Sequence, residues 1–303
     1  LGAKNFNRPK KFERVIKSLK VIKPKKIFIF ANGPRDEFIK DIKLCEDTRD
    51  LIKKINWKCK IYTNFQHKNL GLNLGVYTGI SWFFKNVNFG IVLEDDCIPN
   101  SSFFKYVYVL KKKFSKNKSI GIISGNNFIS NKSKYDYFYT KWPFTWGWAT
   151  WSRNWKNFDY NLKYWKKFRK SEDWKKLNED FNQFKTFTHI FNFSLNKKKI
   201  DLISWDYRWM LHLWFNKLIN IIPRHNLVKN IGFDSEATHT FTKNDNLKLN
   251  TKKIKFPLKH NVQFNIDEKF DDKVFYSVYY TKKSFVVESL KNLKFKMLNK
   301  IND

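Results

Sequence analysis

The sequence predicts a mostly parallel α/β fold. Short apolar runs typical of buried strands alternate, over roughly the first 130 residues, with segments whose apolar side chains recur at helical spacing. The chain has 303 residues, 42% of them hydrophobic and 29% charged, which is enough for one large folded domain or two small ones. In addition, three consecutive carboxylates directly follow one predicted strand, and open α/β sheets hold their ligands at that end of the strands.

The predicted elements of the first half follow one another in a regular order. Apolar runs predict strands at residues 1–6, 27–31, 60–62, 91–93 and 120–123. Helical periodicity predicts helices at residues 12–19, 38–55, 76–84 and 103–114, and Pro24 and the turn Asn32-Gly33-Pro34 separate elements. Strands that alternate with helices in this way indicate a mostly parallel central sheet flanked by helices.

After about residue 130 the alternation gives way to aromatic-rich segments. We expect a helical region at residues 168–193 and a helix at residues 205–215, packed on the same sheet as the second half of one domain. Near the end, residues 285–301 carry apolar side chains on one face with lysines between them. This segment is either an amphipathic helix on an anionic membrane surface or a terminal helix packed on the domain.

The chain is strongly basic. Lysine and arginine number 60 against 27 aspartates and glutamates, which gives a formal net charge of +33. Such an excess favours anionic partners, namely nucleic acid, phospholipid head groups or a phosphorylated substrate. The lysines are scattered, however, and no helix-turn-helix, zinc-finger or RNA-binding motif accompanies them, so we predict no nucleic-acid partner.

The cysteine and hydropathy patterns predict a cytoplasmic protein. Cys45, Cys59 and Cys97 lack CxxC spacing and are odd in number, which indicates neither a zinc site nor a full disulfide framework. No apolar run approaches the roughly 20 residues that span a bilayer, and no signal peptide is recognisable. The chain begins without Met, and residues 1–6 have the pattern of a strand, so we expect an N-terminal piece to precede them.

Three carboxylates are the strongest single indication of chemistry. Glu94, Asp95 and Asp96 follow the apolar run Ile91-Val92-Leu93 and precede Cys97. Carboxylates held close together repel one another, so they stay ionised mainly when a cation or hydrogen-bond donors share the site. Mg²⁺ or Mn²⁺ suits such oxygens and commonly links one or two carboxylates to a substrate diphosphate. The alternative is a solvated acidic turn at the end of a strand.

Several motifs, taken in their order along the chain, resemble one family of enzymes. The matching blocks extend from about residue 6 to residue 240 and are Phe6-Asn7-Arg8-Pro9, Ala31-Asn32-Gly33-Pro34-Arg35, Lys68-Asn69-Leu70-Gly71, Leu93-Glu94-Asp95-Asp96-Cys97, Trp146-Gly147-Trp148-Ala149-Thr150-Trp151, Trp205-Asp206-Tyr207-Arg208-Trp209 and Asn230-Ile231-Gly232-Phe233. In order and spacing they resemble the bacterial nucleotide-diphospho-sugar transferases of the GT-A fold, with a distant similarity to eukaryotic N-acetylglucosaminyltransferase I. The resemblance implies a GT-A fold and transfer of a sugar, with inversion, from a nucleotide diphosphate to a hydroxyl acceptor.

The resemblance also implies roles for individual residues. Asp96 is the expected ligand of Mn²⁺ or Mg²⁺, and Asp206 is the expected catalytic base. Arg8 is expected to contact the nucleotide diphosphate, and Asn32 is expected to lie near the base of the nucleotide. The predicted nucleotide-sugar site as a whole consists of Arg8, Asn32, Arg35, Lys68, Asn69, Gly71, Glu94 and Asp95.

The assignment of the catalytic base has alternatives. Asp206 lies between Trp205 and Trp209 in the sequence, where a carboxylate can be desolvated and its pKa raised. The same residue is also a candidate N-cap of the helix that begins there. Asp234 and Glu236 are rival bases.

Other candidate site residues are equally open to structural interpretations. His239 is either a further metal ligand, a phosphate donor or a structural residue. The turn Asn69-Leu70-Gly71 either offers backbone N–H groups to an anion or only joins a strand to a helix. Four tryptophans within residues 142–151 are expected to divide between sugar stacking and core packing. The predicted acceptor-binding residues are Trp146, Trp148 and Trp205.

We therefore expect a metal-dependent glycosyltransferase of surface-glycan biosynthesis. Its partners are a nucleotide-sugar donor and a glycan or lipid-linked glycan acceptor, reached from the cytoplasm at the inner face of the membrane. Residues 1–265 are predicted to form one GT-A domain, with a nucleotide-sugar half at 1–130 and an acceptor half at 131–265, followed by a C-terminal extension at 266–303.

Two other functions compete with this expectation. A sugar-phosphate nucleotidyltransferase has a similar sheet, but it should carry a glycine-rich pyrophosphate loop where this chain has Asn7-Arg8-Pro9. A non-catalytic carbohydrate-binding module would keep the tryptophans but would have no use for Asp96 and Asp206.

Overall fold

The structure is a computed structural model that describes residues 1–129, 134–232 and 249–280. Within these residues the strands are β1 (Gly2–Asn5), β2 (Lys26–Ala31), β3 (Lys60–Phe65), β4 (Phe89–Glu94), β5 (Cys97–Pro99), β6 (Ile120–Ser124), β7 (Tyr137–Thr140), β8 (Trp148–Trp151), β9 (Ile219–Pro223) and β10 (Val228–Asn230). The helices are α1 (Pro9–Leu19), α2 (Ile39–Asp50), α3 (Gly71–Asn86), α4 (Ser101–Phe114), α5 (Ser152–Trp155), α6 (Trp165–Phe168), α7 (Glu172–Leu177), α8 (Phe181–Asn192), α9 (Trp205–Phe215) and α10 (Glu268–Val274). Short 3₁₀ turns occur at Leu51–Lys54, Phe193–Leu195 and Ile200–Leu202, and a π-helical turn at Phe275–Tyr279.

The first half of the chain confirms the predicted parallel α/β pattern. β3, β2, β1 and β4 are successive neighbours in the main sheet and all run parallel. The apolar face of α1 packs on one side of these strands and that of α3 on the other. Because both faces are covered, the strands read as continuous apolar runs in the sequence. The carboxyl ends of β1, β2 and β4 consequently meet at one edge of the sheet.

The second half extends the same sheet with strands of mixed direction. β8 lies antiparallel between β4 and β6, β9 is parallel to β6, and β7 is antiparallel to β9. A separate two-stranded ribbon pairs β5 with β10 and sets Asn230 opposite Cys97. A large, mostly parallel sheet flanked by helices confirms the predicted fold class and agrees with a GT-A-type arrangement.

The helical region predicted at residues 168–193 is divided into short helices. Ser171 accepts a hydrogen bond from the backbone N–H of Trp174 and begins α7. Asp180 accepts one from the N–H of Gln183 and begins α8. Ser and Asp are strong N-cap residues because their oxygens satisfy N–H groups that have no partner within the helix. The predicted helix at residues 205–215 is confirmed as α9.

Most of the tryptophans belong to the core. The fully buried ones include Trp142, Trp148, Trp165, Trp174 and Trp209. They join phenylalanines and tyrosines from both halves in two aromatic-rich clusters beside the sheet. Core packing therefore accounts for much of the high aromatic content.

The part of the predicted C-terminal extension that the structure describes packs on this core. Phe270, Val274 and Phe275 are buried in the same cluster as Phe138 of β7. The division at residue 265 stays a prediction, and the amphipathic segment 285–301 lies outside the described residues. Within the described ranges, no helix is both long enough and apolar enough to cross a membrane.

Candidate active site

A cleft of about 660 Å³ opens at the carboxyl ends of β1, β2 and β4. Its walls include most of the residues predicted from sequence, namely Arg8, Asn32, Arg35, Asn69, Gly71, Glu94, Asp95, Asp96, Trp146, Trp205 and Asp206. Lys68 is exposed and is not part of this lining, and Trp148 lies in the core. His239 lies outside the described residues. Residues far apart in sequence thus converge at the edge where open α/β sheets bind ligands.

Arg8 connects two of the three carboxylates. It is the residue that precedes α1, and Pro9 at the first helical position fixes the backbone there. Its Nη1 atom lies 3.5 Å from Asp95 Oδ1 and 3.5 Å from Asp96 Oδ2. The preceding strand β1 is hydrogen-bonded to β2 and β4 on its two edges, so the start of this loop is anchored in the middle of the sheet.

Lys4 is a second cation in the cleft and was not predicted. Its Nζ atom lies 3.7 Å from Glu94 Oε2, across the β1–β4 pairing. Burial raises the pKa of Glu94 to about 7, with Asp96, Asp95 and Asp206 adding to the effect and Lys4 opposing it. Burial and the charge of Asp96 also raise the pKa of Asp95, and Arg8 opposes this shift. The cluster is thus a site whose carboxylates favour an additional cation or hydrogen-bond donors.

Asp206 lies in the first turn of α9. Ser204 occupies the N-cap position, so the N-cap interpretation of Asp206 is wrong. An acidic side chain in the first turn is favoured by the helix dipole. Asp206 and Glu94 line the same cleft, and the negative charge of Asp206 adds to the raised pKa of Glu94. The rival bases Asp234 and Glu236 lie outside the described residues.

The chain segment after β10 shapes the space in front of Asp96. The backbone oxygen of Asp96 accepts a hydrogen bond from the N–H of Ile231 at 2.9 Å, and Asn230 Oδ1 accepts one from the N–H of Gly232 at 2.6 Å. A Cβ atom on Gly232 would collide with Asp96 Oδ2 and would lie 3.0 Å from Asn230 Oδ1. Because residue 232 is a glycine, the Asp96 carboxylate can occupy its observed position.

These oxygens fit a hard divalent cation. Asp96 Oδ2 and Asn230 Oδ1 both lie within 3.0 Å of the position that a Cβ atom on Gly232 would take, and oxygen donors suit Mg²⁺ and Mn²⁺. Among the described residues, no group of three or more His, Cys, Asp and Glu side chains forms a complete metal site. A cation held by Asp96 would therefore need phosphate oxygens of a substrate and water to complete its coordination, as is usual for Mg²⁺.

Asn32 fastens the turn that leads into α3. Its Oδ1 atom accepts hydrogen bonds from the N–H groups of Gly33 at 3.1 Å and Leu70 at 2.9 Å, and its Nδ2 donates to the Gly71 oxygen at 3.1 Å. Asn69 Oδ1 accepts from the N–H of Gly71 at 2.8 Å. Because the N–H groups of residues 70 and 71 are used within the protein, the turn fits the interpretation of a strand-to-helix connection. Asn32 also borders the cleft, and its predicted place near the base of a bound nucleotide stays a prediction.

Arg35 is held at the rim of the cleft. Its Nε atom donates to Asp41 Oδ2 at 2.6 Å, and its guanidinium carbon lies 3.9 Å from the centre of the Phe38 ring. About half of its side chain remains exposed, at 45%. Arg35 is thus oriented by α2 and its preceding turn while still reaching solvent at the cleft.

The three tryptophans predicted to bind an acceptor lie in different environments. Trp146 is partly exposed and lines the cleft, and its backbone N–H donates to Asn126 Oδ1 at 3.1 Å. Trp205 also borders the cleft but is only 6% exposed. Trp148 is 1% exposed, with its ring 6.3 Å from that of Trp205 and 5.9 Å from that of Trp209. Trp148 therefore packs the wall behind the cleft and does not present its ring to a ligand.

Several cleft residues had no assigned role in the sequence-based prediction. The residues that line the cleft without having been predicted include Lys4, Phe128, Tyr207, Asn230, Gly232, Val278 and Tyr279. Tyr207, Asn230 and Gly232 stand inside the motif blocks, so those blocks carried a signal for them. Lys4, Phe128, Val278 and Tyr279 lie outside all of these blocks, and only the fold brings them to the cleft.

Comparison with known proteins gives a remote structural likeness. No protein-family description matches the chain, and no curated protein matches it. Among solved structures, the chain is similar to TarS residues 1–349 from S. aureus, with 12% sequence identity and a TM-score of 0.35. The match covers 54% of this chain, which spans about half the length of that structure (51%).

Proposed function

We propose that this protein is a metal-dependent glycosyltransferase that moves a sugar from a nucleotide diphosphate to a hydroxyl group of a glycan. The observation that carries the proposal is the convergence of Arg8, the triplet of residues 94–96 and Asp206 in one cleft at the carboxyl ends of parallel strands. The order of the sequence motifs, which resembles the nucleotide-diphospho-sugar transferases, supports it independently.

The donor binds at the end of the cleft formed by the carboxylate triplet. Arg8 contacts the diphosphate, because its guanidinium is positioned by β1 and α1 and already bridges Asp95 and Asp96. Asp96 would hold Mn²⁺ or Mg²⁺, which supplies positive charge to the departing diphosphate. Glu94 and Asp95 accept hydrogen bonds from hydroxyl groups of the donor sugar, with Lys4 beside Glu94 to favour its ionised form.

The acceptor binds on the wall formed by α9. Asp206 takes the proton of the attacking hydroxyl as the acceptor oxygen bonds to the anomeric carbon and the bond from that carbon to the diphosphate oxygen breaks. The electron pair of the broken bond leaves with the diphosphate, whose charge Arg8 helps to stabilise. A single displacement of this kind inverts the configuration at the anomeric carbon. The acceptor is a growing surface glycan, free or lipid-linked, at the cytoplasmic face of the membrane.

A donor-cleavage assay tests this function. A panel of nucleotide sugars is incubated with and without Mn²⁺, and release of the nucleoside diphosphate is measured for the wild type, Asp96→Ala and Asp206→Asn. We expect one donor class to be cleaved only with Mn²⁺, Asp96→Ala to abolish cleavage, and Asp206→Asn to suppress transfer to an added acceptor. Asp50→Asn is the matched control, because the Asp50 side chain is 69% exposed, pairs with the exposed Lys53 and does not line the cleft. Cleavage that needs no metal and survives Asp96→Ala would overturn the proposal.

A further inference from the structure

The segment that follows the main sheet closes one side of the cleft. Residues 268–279 form α10 and the π-helical turn, and the end of this segment places Val278 and Tyr279 among the residues lining the cleft. More than 70 residues separate Tyr279 from Asp206 in the sequence, yet both residues line the same cleft. This segment therefore contributes to the wall that carries the candidate base.

The segment is firmly attached to the domain through Asp271. The side chain of Asp271, which is 3% exposed, accepts hydrogen bonds from the Thr140 hydroxyl and, at 2.9 Å, from the N–H of Lys141. The backbone oxygen of Asp271 accepts from Trp142 Nε1 at 3.0 Å. Further along, the Tyr276 hydroxyl donates to an oxygen of the Asp180 side chain at 2.7 Å. The segment is thus bonded to β7 and to the start of α8. These bonds fix the position of residues 278 and 279 relative to the core.

Aromatic rings and two phenol groups line this part of the cleft. The Tyr279 ring stacks on Trp142, with centroids 4.7 Å apart and an interplanar angle of 25°, and meets Tyr207 edge-on at 6.0 Å. Phe128 and Trp146 are also in edge-on contact, with their centroids 4.7 Å apart. Such rings offer flat apolar surfaces, and their hydroxyl groups supply the few polar contacts that orient a ligand.

The two phenols are suited to act as hydrogen-bond donors. Burial raises the pKa of Tyr279 well above its usual range, and Tyr207 and Asp206 add to the effect. Burial, followed by the charge of Asp206, raises the pKa of Tyr207 in the same way. Both hydroxyls therefore stay protonated at neutral pH, next to the candidate base.

We propose that Tyr207, Tyr279 and Val278, together with Phe128 and Trp146, form the subsite for the acceptor sugar. The ligand is a pyranose ring, whose C–H face lies on the aromatic side chains and whose oxygens accept hydrogen bonds from the two phenols. Tyr207 and Tyr279 are positioning residues that direct the attacking hydroxyl toward Asp206. This inference rests on the proposed function and adds to it the residues and the chemical class of the acceptor site.

A binding experiment tests the subsite separately from catalysis. Saturation-transfer NMR is recorded with a panel of p-nitrophenyl pyranosides, in the presence of nucleoside diphosphate and Mn²⁺, for the wild type, Tyr207→Phe, Tyr279→Phe and Tyr279→Ala. We expect a pyranoside to bind the wild type, each Phe variant to weaken that binding about tenfold, as loss of one neutral hydrogen bond implies, and Tyr279→Ala to abolish it. Tyr108→Phe is the matched control, because Tyr108 is 55% exposed on α4 and does not line the cleft.

Two further measurements complete the test. Thermal unfolding shows whether Tyr279→Ala remains folded, and the Phe variants keep the ring that packs on Trp142. In turnover assays, the Phe variants should raise the acceptor KM, while Tyr108→Phe keeps both the wild-type acceptor KM and the wild-type rate of donor cleavage. Absence of any pyranoside binding to the wild type, or binding unaffected by all three variants, would overturn the subsite. These outcomes differ from the one that would contradict the proposed function, which is that the wild type cleaves no nucleotide sugar.

Discussion

Gly232→Ala is the substitution that most sharply tests how the cleft holds Asp96. The added Cβ would overlap Asp96 Oδ2, lie 3.1 Å from Asp96 Cγ and 3.0 Å from Asn230 Oδ1. To restore ordinary contact, the carboxylate or the chain after β10 must move by roughly 1 Å, which in an active site commonly costs about 100-fold in activity. That factor corresponds to about 2.7 kcal/mol of lost transition-state stabilisation. The stability cost should be about 1 kcal/mol, because Gly232 is partly exposed and its surroundings can adjust.

The assay compares function and stability in the same variant. Donor cleavage with Mn²⁺ is measured together with urea unfolding, for the wild type, Gly232→Ala and Lys229→Ala. Lys229 is the matched control, because it is exposed on the same strand, β10, and does not line the cleft. We expect cleavage to fall about 100-fold only in Gly232→Ala. If Gly232→Ala cleaved the donor at the wild-type rate and with the wild-type dependence on Mn²⁺, the reasoning that this glycine makes room for Asp96 would be refuted.

Three further predictions concern the charged groups. Arg8→Ala should weaken nucleoside diphosphate binding by at least tenfold in calorimetry, with Arg8→Lys in between, because a lysine keeps the charge but not the planar guanidinium; equal affinities would contradict this role. Lys4→Met should move the pH midpoint of nucleotide-sugar binding upward from about 7, the pKa of Glu94, since Lys4 stabilises the ionised form; an unchanged midpoint would contradict it. Burial raises the pKa of Asp271 from 3.8 to about 7, so the folded state holds a proton that the unfolded state releases, and wild-type stability should fall between pH 4 and 7; Asp271→Asn should flatten that slope in urea unfolding.

The parallel half of the fold was predictable because its strands are covered on both faces. Residues 27–31 and 91–93 read as unbroken apolar runs, and α1 and α3 repeat their apolar residues toward the same strands. A carboxylate triplet at the end of such a strand had to lie at the ligand-binding edge. The division of residues 168–193 into separate helices was also visible in principle, since Ser171 and Asp180 are strong N-cap residues.

Other parts of the site depend on long-range packing that local patterns do not record. The sequence around Lys4 does not distinguish it from a solvent-exposed lysine. It lies beside Glu94 because β1 pairs with β4. Trp146 and Trp148 are two residues apart with the same side chain, yet one reaches the cleft and the other the core. Tyr279 reaches the cleft because Asp271 attaches its segment to Thr140 of β7, a contact that spans 131 residues.

Binding of nucleoside diphosphates tests the central claim most directly. Titration calorimetry is performed with UDP, GDP, CDP, ADP and dTDP, each with and without Mn²⁺, on the wild type and on Asp96→Asn. The proposed site predicts that at least one nucleotide binds the wild type only when Mn²⁺ is present, and that Asp96→Asn loses this binding while its thermal stability is kept. Nucleotide binding that is equally strong without metal and in Asp96→Asn, or no nucleotide binding at all, would contradict it.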